Sequence, residues 1–309
     1  MEFLENMFID IHAHCYRHPV PFGCRFCNPE ELLKLYDEQE IERGFLLPVV
    51  SPEIYLPQSN EDILEICEAY PKRFIPFCNI DPRALTNAVD APLYKVMEYY
   101  KERGCKGIGE IMPNMPMRHP MVQNLFKHAQ ATEMPVTFDG SDQPDGDFGL
   151  YDEPGLPQLE HSLQRFPKLK FIAHGPIFWM ELERLKTPAQ RKPAFFPDGG
   201  QTPRWPRTSY LKGPITEPGV VPLFFRTYEN LYGELSDAAF TLGRDPDYAC
   251  AFLTEFQDRL FFGKDCCGPK HYSSLRPMLI DWKEKGKLSQ EVFDKITRQN
   301  AIKFFELEE

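Results

Sequence analysis

Two histidines, His12 and His14, lie in the run Phe8-Ile9-Asp10-Ile11-His12-Ala13-His14-Cys15, where apolar Ile9, Ile11 and Ala13 alternate with polar residues. Alternation with period two is the pattern of a strand, in which residues two apart project to the same side. Two imidazoles side by side at a strand end can grip one transition-metal ion. A bare HxH also occurs as a polar strand end facing water, so the rest of the chain has to decide between the two readings.

The elements that would place these histidines follow in a regular cycle. A loop over residues 16–29 holds Arg17, His18 and Arg25, and Asn28-Pro29-Glu30-Glu31 then reads as a helix start. Its signs are a capping Asn, proline at the first helical position and acids in the first turn. Gly44 is expected to end that helix, and the apolar run 45–50 to be a buried parallel strand. Further strands are expected at 74–80, 105–111, 135–139, 169–174, 230–236 and 259–265. Helices are expected at 60–69, 91–103, 121–132 and 156–166, with a final one from Ser289 through Phe305. Eight strands alternating with helices in about 260 residues predict an α/β fold, a single (β/α)8 TIM barrel over residues 1–309, with catalytic groups at the strands' C-terminal ends. His12, His14, Glu110, Asp139, His174 and Asp265 all fall at or near such ends.

Composition bounds the partners. The chain has 309 residues and a net charge of −11, which argues against nucleic acid or an anionic membrane surface. No apolar run reaches the roughly 18 residues of a membrane span. The acidic start, residues 1–5, lacks the layout of a signal peptide. Nine cysteines, an odd number, fit free thiols in a reducing cytoplasm. Cys24-x-x-Cys27 has no second CxxC to complete a zinc site and reads as ordinary thiols. Residues 186–222 carry eight prolines. An irregular stretch of that length after strand six emerges on the active face, as a lid or substrate wall or as a surface excursion or oligomer contact. Arg17, Arg25 and Arg204 sit on loops expected to rim the mouth, where they can clamp an acidic small-molecule substrate or simply balance an acidic surface. His18 and His271 follow strands one and eight and are candidates to reach the site. His119, His128 and His161 lie away from strand ends and are expected on the surface or in packing.

Taken together, His12-x-His14, the run Arg165-Phe166-Pro167-Lys168-Leu169-Lys170-Phe171-Ile172-Ala173-His174-Gly175, the strand end Phe262-Gly263-Lys264-Asp265 and the closing Ile296-Thr297-Arg298-Gln299-Asn300-Ala301 resemble the amidohydrolase superfamily. The likeness is to its amidohydrolase-related branch of hydrolases and non-oxidative decarboxylases, and it spans essentially the whole chain. The resemblance implies that His12 and His14 hold a metal, with Asp265 as a further ligand and proton acceptor. It also implies that His174 binds a second metal or polarises the substrate, and that Glu110 is a bridging or single-metal carboxylate ligand. One departure is visible: the family commonly places a histidine at the end of strand five, where this chain has Asp139. A carboxylate can still ligate there, and it shifts the preference from Zn²⁺ toward a harder ion such as Mn²⁺.

The chemistry expected is that of a divalent ion lowering the pKa of water to about 7 beside a carboxylate base, for attack on an amide, ester or lactone. A decarboxylase of an aromatic or unsaturated acid is the alternative, and a non-catalytic ligand-binding barrel the second. Barrels of this kind commonly pair, so a homo-oligomer is expected.

Overall fold

The computed structural model describes residues 7–20, 25–53, 56, 58–144, 148–185, 213–271 and 273–308. Eight parallel strands organise it: β1 (Phe8–Ala13), β2 (Ile41–Leu46), β3 (Phe74–Pro76), β4 (Ile108–Ile111), β5 (Val136–Phe138), β6 (Phe171–Ala173), β7 (Leu231–Glu234) and β8 (Leu260–Phe261). β1–β2–β3 form one parallel sheet, and β4 through β8 form another in sequence order. The sheets meet at both seams. Cys78, just past β3, bridges Ile108 of β4, and Ala13 of β1 bridges Cys266 beyond β8. Backbone bonds from Ile11 N to Phe262 O (3.1 Å) and from Asp265 N to His12 O (2.8 Å) close the ring. The result is a (β/α)8 barrel.

Local chemistry explains the elements. The helix Pro29–Glu38 opens on a full capping box: Asn28 Oδ1 accepts from Glu31 N at 2.8 Å and Glu31 Oε2 accepts from Asn28 N at 3.2 Å. That helix ends before Gly44, which lies inside β2 instead of at the helix end, so β2 starts four residues earlier than residue 45. The glycine is there for space: a Cβ on it would sit 2.0 Å from Tyr36 Oη. Apolar continuity alone could not show this, because the first half of β2 carries Glu42 and Arg43 at the barrel's lower rim.

Ile9, Ile11, Phe45, Ile172 and Phe261 form one interior cluster that Phe77 and Phe305 join. Phe305 belongs to the final helix, which runs from Gln290 to Phe305 through a π-helical turn at Lys295–Gln299. That helix plugs the ring on the side away from the strand ends, with its Phe305 ring centroid 4.4 Å from that of Phe45. Each such fully buried aromatic contributes about 1.5–3 kcal/mol.

The expected irregular stretch 186–222 lies mostly outside the described residues. Its end is ordered as residues 213–219 and the helix Val220–Thr227, with Ile215 buried and its amide bonded to Asp245 Oδ2 at 3.1 Å.

Candidate metal centre

β1 is not a simple alternation. Asp10 faces outward, where Oδ2 accepts from Tyr36 Oη at 2.8 Å and Oδ1 accepts from the amides of His12 (3.0 Å) and Lys264 (2.8 Å). His12, two residues on, faces the barrel mouth. The register of β1 against β2 shifts between Asp10 and Ala13, and a shift of that kind re-aims a side chain. Asp10 therefore straps β1 to the segment after β8, and the strap holds His12 and Asp265 at one level.

Four donor atoms converge there. His12 Nε2 and His14 Nε2 are 3.3 Å apart, and Glu110 Oε2 lies 3.2 Å from the first and 3.3 Å from the second. Asp265 Oδ1 stands 3.3 Å from His14 Nε2 and 3.8 Å from His12 Nε2. Ligands about 2.1 Å from an ion and roughly 90–110° apart are separated by about 3.0–3.4 Å, so the four spacings of 3.2–3.3 Å are edges of a coordination shell and the 3.8 Å one spans a wider angle. The rings are turned for it. His14 Nδ1–H donates to Leu47 O at 2.9 Å, leaving Nε2 to face the donors. Glu234 Oε2, fully buried, lies 2.5 Å from His174 Nδ1 and 3.4 Å from His12 Nδ1, which turns both Nε2 atoms inward.

Glu110 offers its other oxygen to the far side, 3.7 Å from His174 Nε2. Asp139 joins Glu110 and His174 as a second possible ion-holding group, and Asp237 joins His174 and Asp265 as a third. All eight residues are at most 8% exposed. Five carboxylates outnumber three imidazoles by two even with every ring protonated, and burying such an excess is costly unless a cation joins it. Donor type, spacing and charge all fit a divalent ion.

Without an ion, the charged groups bias one another. Burial pushes the His12 imidazole down, but Glu110 and Glu234 outweigh it and raise it to about 10; for His14 burial opposes Asp265 and Glu110, again giving about 10. Burial and the neighbouring His12 oppose Glu234 at His174, which ends at about 9. Burial raises the carboxyls, yet His12 and His14 hold Glu110, and His14 and His12 hold Asp265, well below the usual range.

A cavity of about 770 Å³ opens beside the cluster, with Ser236, Asp237, Lys264, Asp265 and His271 on its wall. Arg25 reaches the same wall while pairing with Glu31 at 2.6 Å. Arg17 turns away to pair with Glu65 on the helix Asn60–Ala69. His18 is exposed, and Arg204 lies outside the described residues. His119 caps the helix Pro120–Ala131, accepting from Met121 N at 3.2 Å, and Tyr94 packs on His128. Cys27 is a buried free thiol 3.8 Å from Cys266 Sγ, and Cys24 lies outside the described residues. No helix among the described residues is long and apolar enough to cross a membrane.

Sequence reasoning passed over Glu234, Asp237, Lys264 and Asn79. The first two fall at or just beyond the end of β7, so the rule that singled out Asp265 could have found them. Gly263 gives the other signal: a Cβ there would sit 1.8 Å from Glu234 Oε1. Asn79 Nδ2 bonds Pro48 O (2.8 Å) and Glu110 O (2.6 Å), tying three strand ends together, and nothing in its sequence neighbourhood marks it.

The ring of strands and the mouth-side cluster define a barrel with a candidate ion-binding centre at its mouth. The chain belongs to the amidohydrolase family, which it matches over residues 9–307, and it is an enzyme of hydrolase or lyase type. No curated protein matches it by sequence. Among solved structures it is similar to a probable 2-pyrone-4,6-dicarboxylic acid hydrolase from Acinetobacter baumannii with citric acid bound, at 15% identity and TM-score 0.56 over 97% of this chain and 99% of that one. It is also similar to a 5-carboxyvanillate decarboxylase from Novosphingobium aromaticivorans with bound manganese, at 14% identity and TM-score 0.61 over 99% and 98% of the two chains. A 2,6-dihydroxybenzoate decarboxylase from Rhizobium gives 13% identity and TM-score 0.58 over 97% and 99%. These likenesses show the fold.

Proposed function

We propose that this enzyme is a metal-dependent hydrolase of a small amide, ester or lactone, with one divalent ion held by His12, His14, Glu110 and Asp265. The observation that carries this reading is the convergence of two ring nitrogens 3.3 Å apart with a Glu110 oxygen and an Asp265 oxygen, each 3.2–3.8 Å from both nitrogens, beside an open cavity. When bound, a divalent ion polarises a carbonyl and makes water acidic enough to attack near neutral pH.

The chain's own groups then handle protons. Asp265, held ionised by His14 and His12, accepts the proton that attacking water gives up. His174 carries a proton on Nε2 toward the leaving oxygen or nitrogen, with Glu234 fixing its Nδ1 side. Asp139 and Glu110 can hold a second ion with His174. Zn²⁺ suits the imidazoles, and Mn²⁺ is its competitor because the carboxylates harden the donor set. Arg25 and His271 contact the substrate from the cavity wall, and Arg204 is a candidate from sequence position alone.

A second reading, non-oxidative decarboxylation, is favoured by His174 itself: an imidazole raised to about 9 is protonated at neutral pH and can deliver that proton to carbon. The test is product analysis of the metal-loaded enzyme with lactones, esters and aromatic acids. Acid formed with consumption of water and no CO₂ supports the hydrolase. CO₂ released from an acid overturns it in favour of the decarboxylase.

A further inference from the structure

Lys264 stands between Gly263 and Asp265, and its side chain is not where a lysine usually is. The residue is 2% exposed and lies on the wall of the cavity, and among the described residues its ammonium has one hydrogen-bond partner, the carbonyl of His271 at a long 3.5 Å. Among the described residues no carboxylate oxygen lies within ion-pair reach of its Nζ. A buried ammonium without an anion is costly, and lysine heads ordinarily escape to water. Asp265, one of the four candidate ion ligands, lines the same cavity of about 770 Å³, so Lys264 lies on a space that adjoins the candidate ion site.

The same wall bears a second feature suited to negative charge. Ser273 and Ser274 line it at the start of the helix Leu275–Glu284. Among the described residues Ser274 makes no side-chain capping bond, and Leu275 N reaches only Ser273 Oγ, at 3.4 Å. This end of the helix therefore keeps donor capacity and its partial positive charge for a ligand.

We infer that Lys264, with the Ser273–Ser274 helix start, is a carboxylate subsite, so that the substrate is a small carbonyl acid and not a neutral ester or amide. The hydrolase reading supplies what happens at the carbonyl; binding of the acid stands on Lys264. Carboxylate is favoured over phosphate because Asp237 and Asp265 share the wall, and they repel a dianion more than a monoanion.

Equilibrium binding of benzoate, of its uncharged analogue benzamide and of inorganic phosphate tests this, each with metal-loaded and with chelator-treated protein. Benzoate is expected to bind at least tenfold tighter than benzamide in both forms. Lys264→Gln is expected to erase that difference and Lys264→Arg to retain most of it. Equal benzoate binding by Lys264→Gln and wild type overturns the assignment, and so does phosphate binding tighter than benzoate. Should Lys264→Gln not fold, protection of Lys264 from acetylation by benzoate in the wild type, read by peptide mass mapping, reports the same contact, and no protection overturns it. Failure of the metal reading shows separately, as absence of bound metal, while benzoate binding to chelator-treated protein still reports on Lys264.

Discussion

Glu234 Oε2 lies 2.5 Å from His174 Nδ1 and 3.4 Å from His12 Nδ1, so one fully buried carboxylate backs two imidazoles that face the ion site. Groups that orient metal-binding histidines in this way are worth about 10–100-fold in affinity. Glu234→Gln keeps the shape but weakens the acceptor. The expected outcome is a loss of metal affinity in that range, measured by chelator competition. An unchanged affinity would show that Glu234 does not position the rings.

Metal binding should depend on pH in a defined direction. With no ion present, His12 and His14 are raised to about 10 and hold their protons at neutral pH. An ion must displace both, so affinity rises as pH rises from 7 toward 10, and about two protons leave per ion bound at pH 7. Calorimetry in two buffers of different ionisation enthalpy reads the number. Affinity that stays flat between pH 7 and 9 contradicts the assignment of these rings as ligands.

Gly263 is the one residue type that leaves room for Glu234. A methyl group there would meet Glu234 Oε1 at 1.8 Å, so Gly263→Ala must displace the carboxylate. We expect metal retention to fall as it does for Glu234→Gln, with an overpacking cost of about 1–3 kcal/mol in urea unfolding. Full metal content in a stable Gly263→Ala protein would count against the steric argument.

How far the sequence could be read follows from the range of the interactions involved. The Asn28–Glu31 capping box is legible because its partners are three residues apart. The eight strand ends are legible because apolar runs and helix stops recur along the chain. Those ends named His12, His14, Glu110, Asp139, His174 and Asp265, which the fold brings into one cluster. Glu234 and Lys264 fall within the expected strands seven and eight, yet their roles depend on which residues face them across the ring. His174 is 60 residues from Glu234, and Lys264 N is 254 residues from Asp10. The start of β2 is hidden for a related reason: Gly44 looks like a helix stop in sequence, whereas in the fold Tyr36 lies against it. The loop of Arg17 points in sequence to the barrel mouth, whereas its partner Glu65 on a neighbouring helix draws it away.

Tyr36 also tests the strap that joins β1 to β8. Tyr36→Phe removes the hydroxyl from which Asp10 Oδ2 accepts at 2.8 Å and leaves that oxygen buried with no other bond among the described residues. Loss of such a partner costs about 1–3 kcal/mol. Urea unfolding should show it, with metal content retained because Asp10 still holds the His12 and Lys264 amides. A change below about 0.5 kcal/mol would mean that the strap bears little of the fold's stability.

The central claim is that His12 and His14, with Glu110 and Asp265, bind a divalent ion. Elemental analysis of the purified protein and of the His12→Ala/His14→Ala double variant tests it most directly. The account predicts close to stoichiometric zinc or manganese in the wild type and its loss in a double variant that still folds. A wild type that neither retains nor takes up a divalent ion, or a double variant that binds it equally well, would contradict the account.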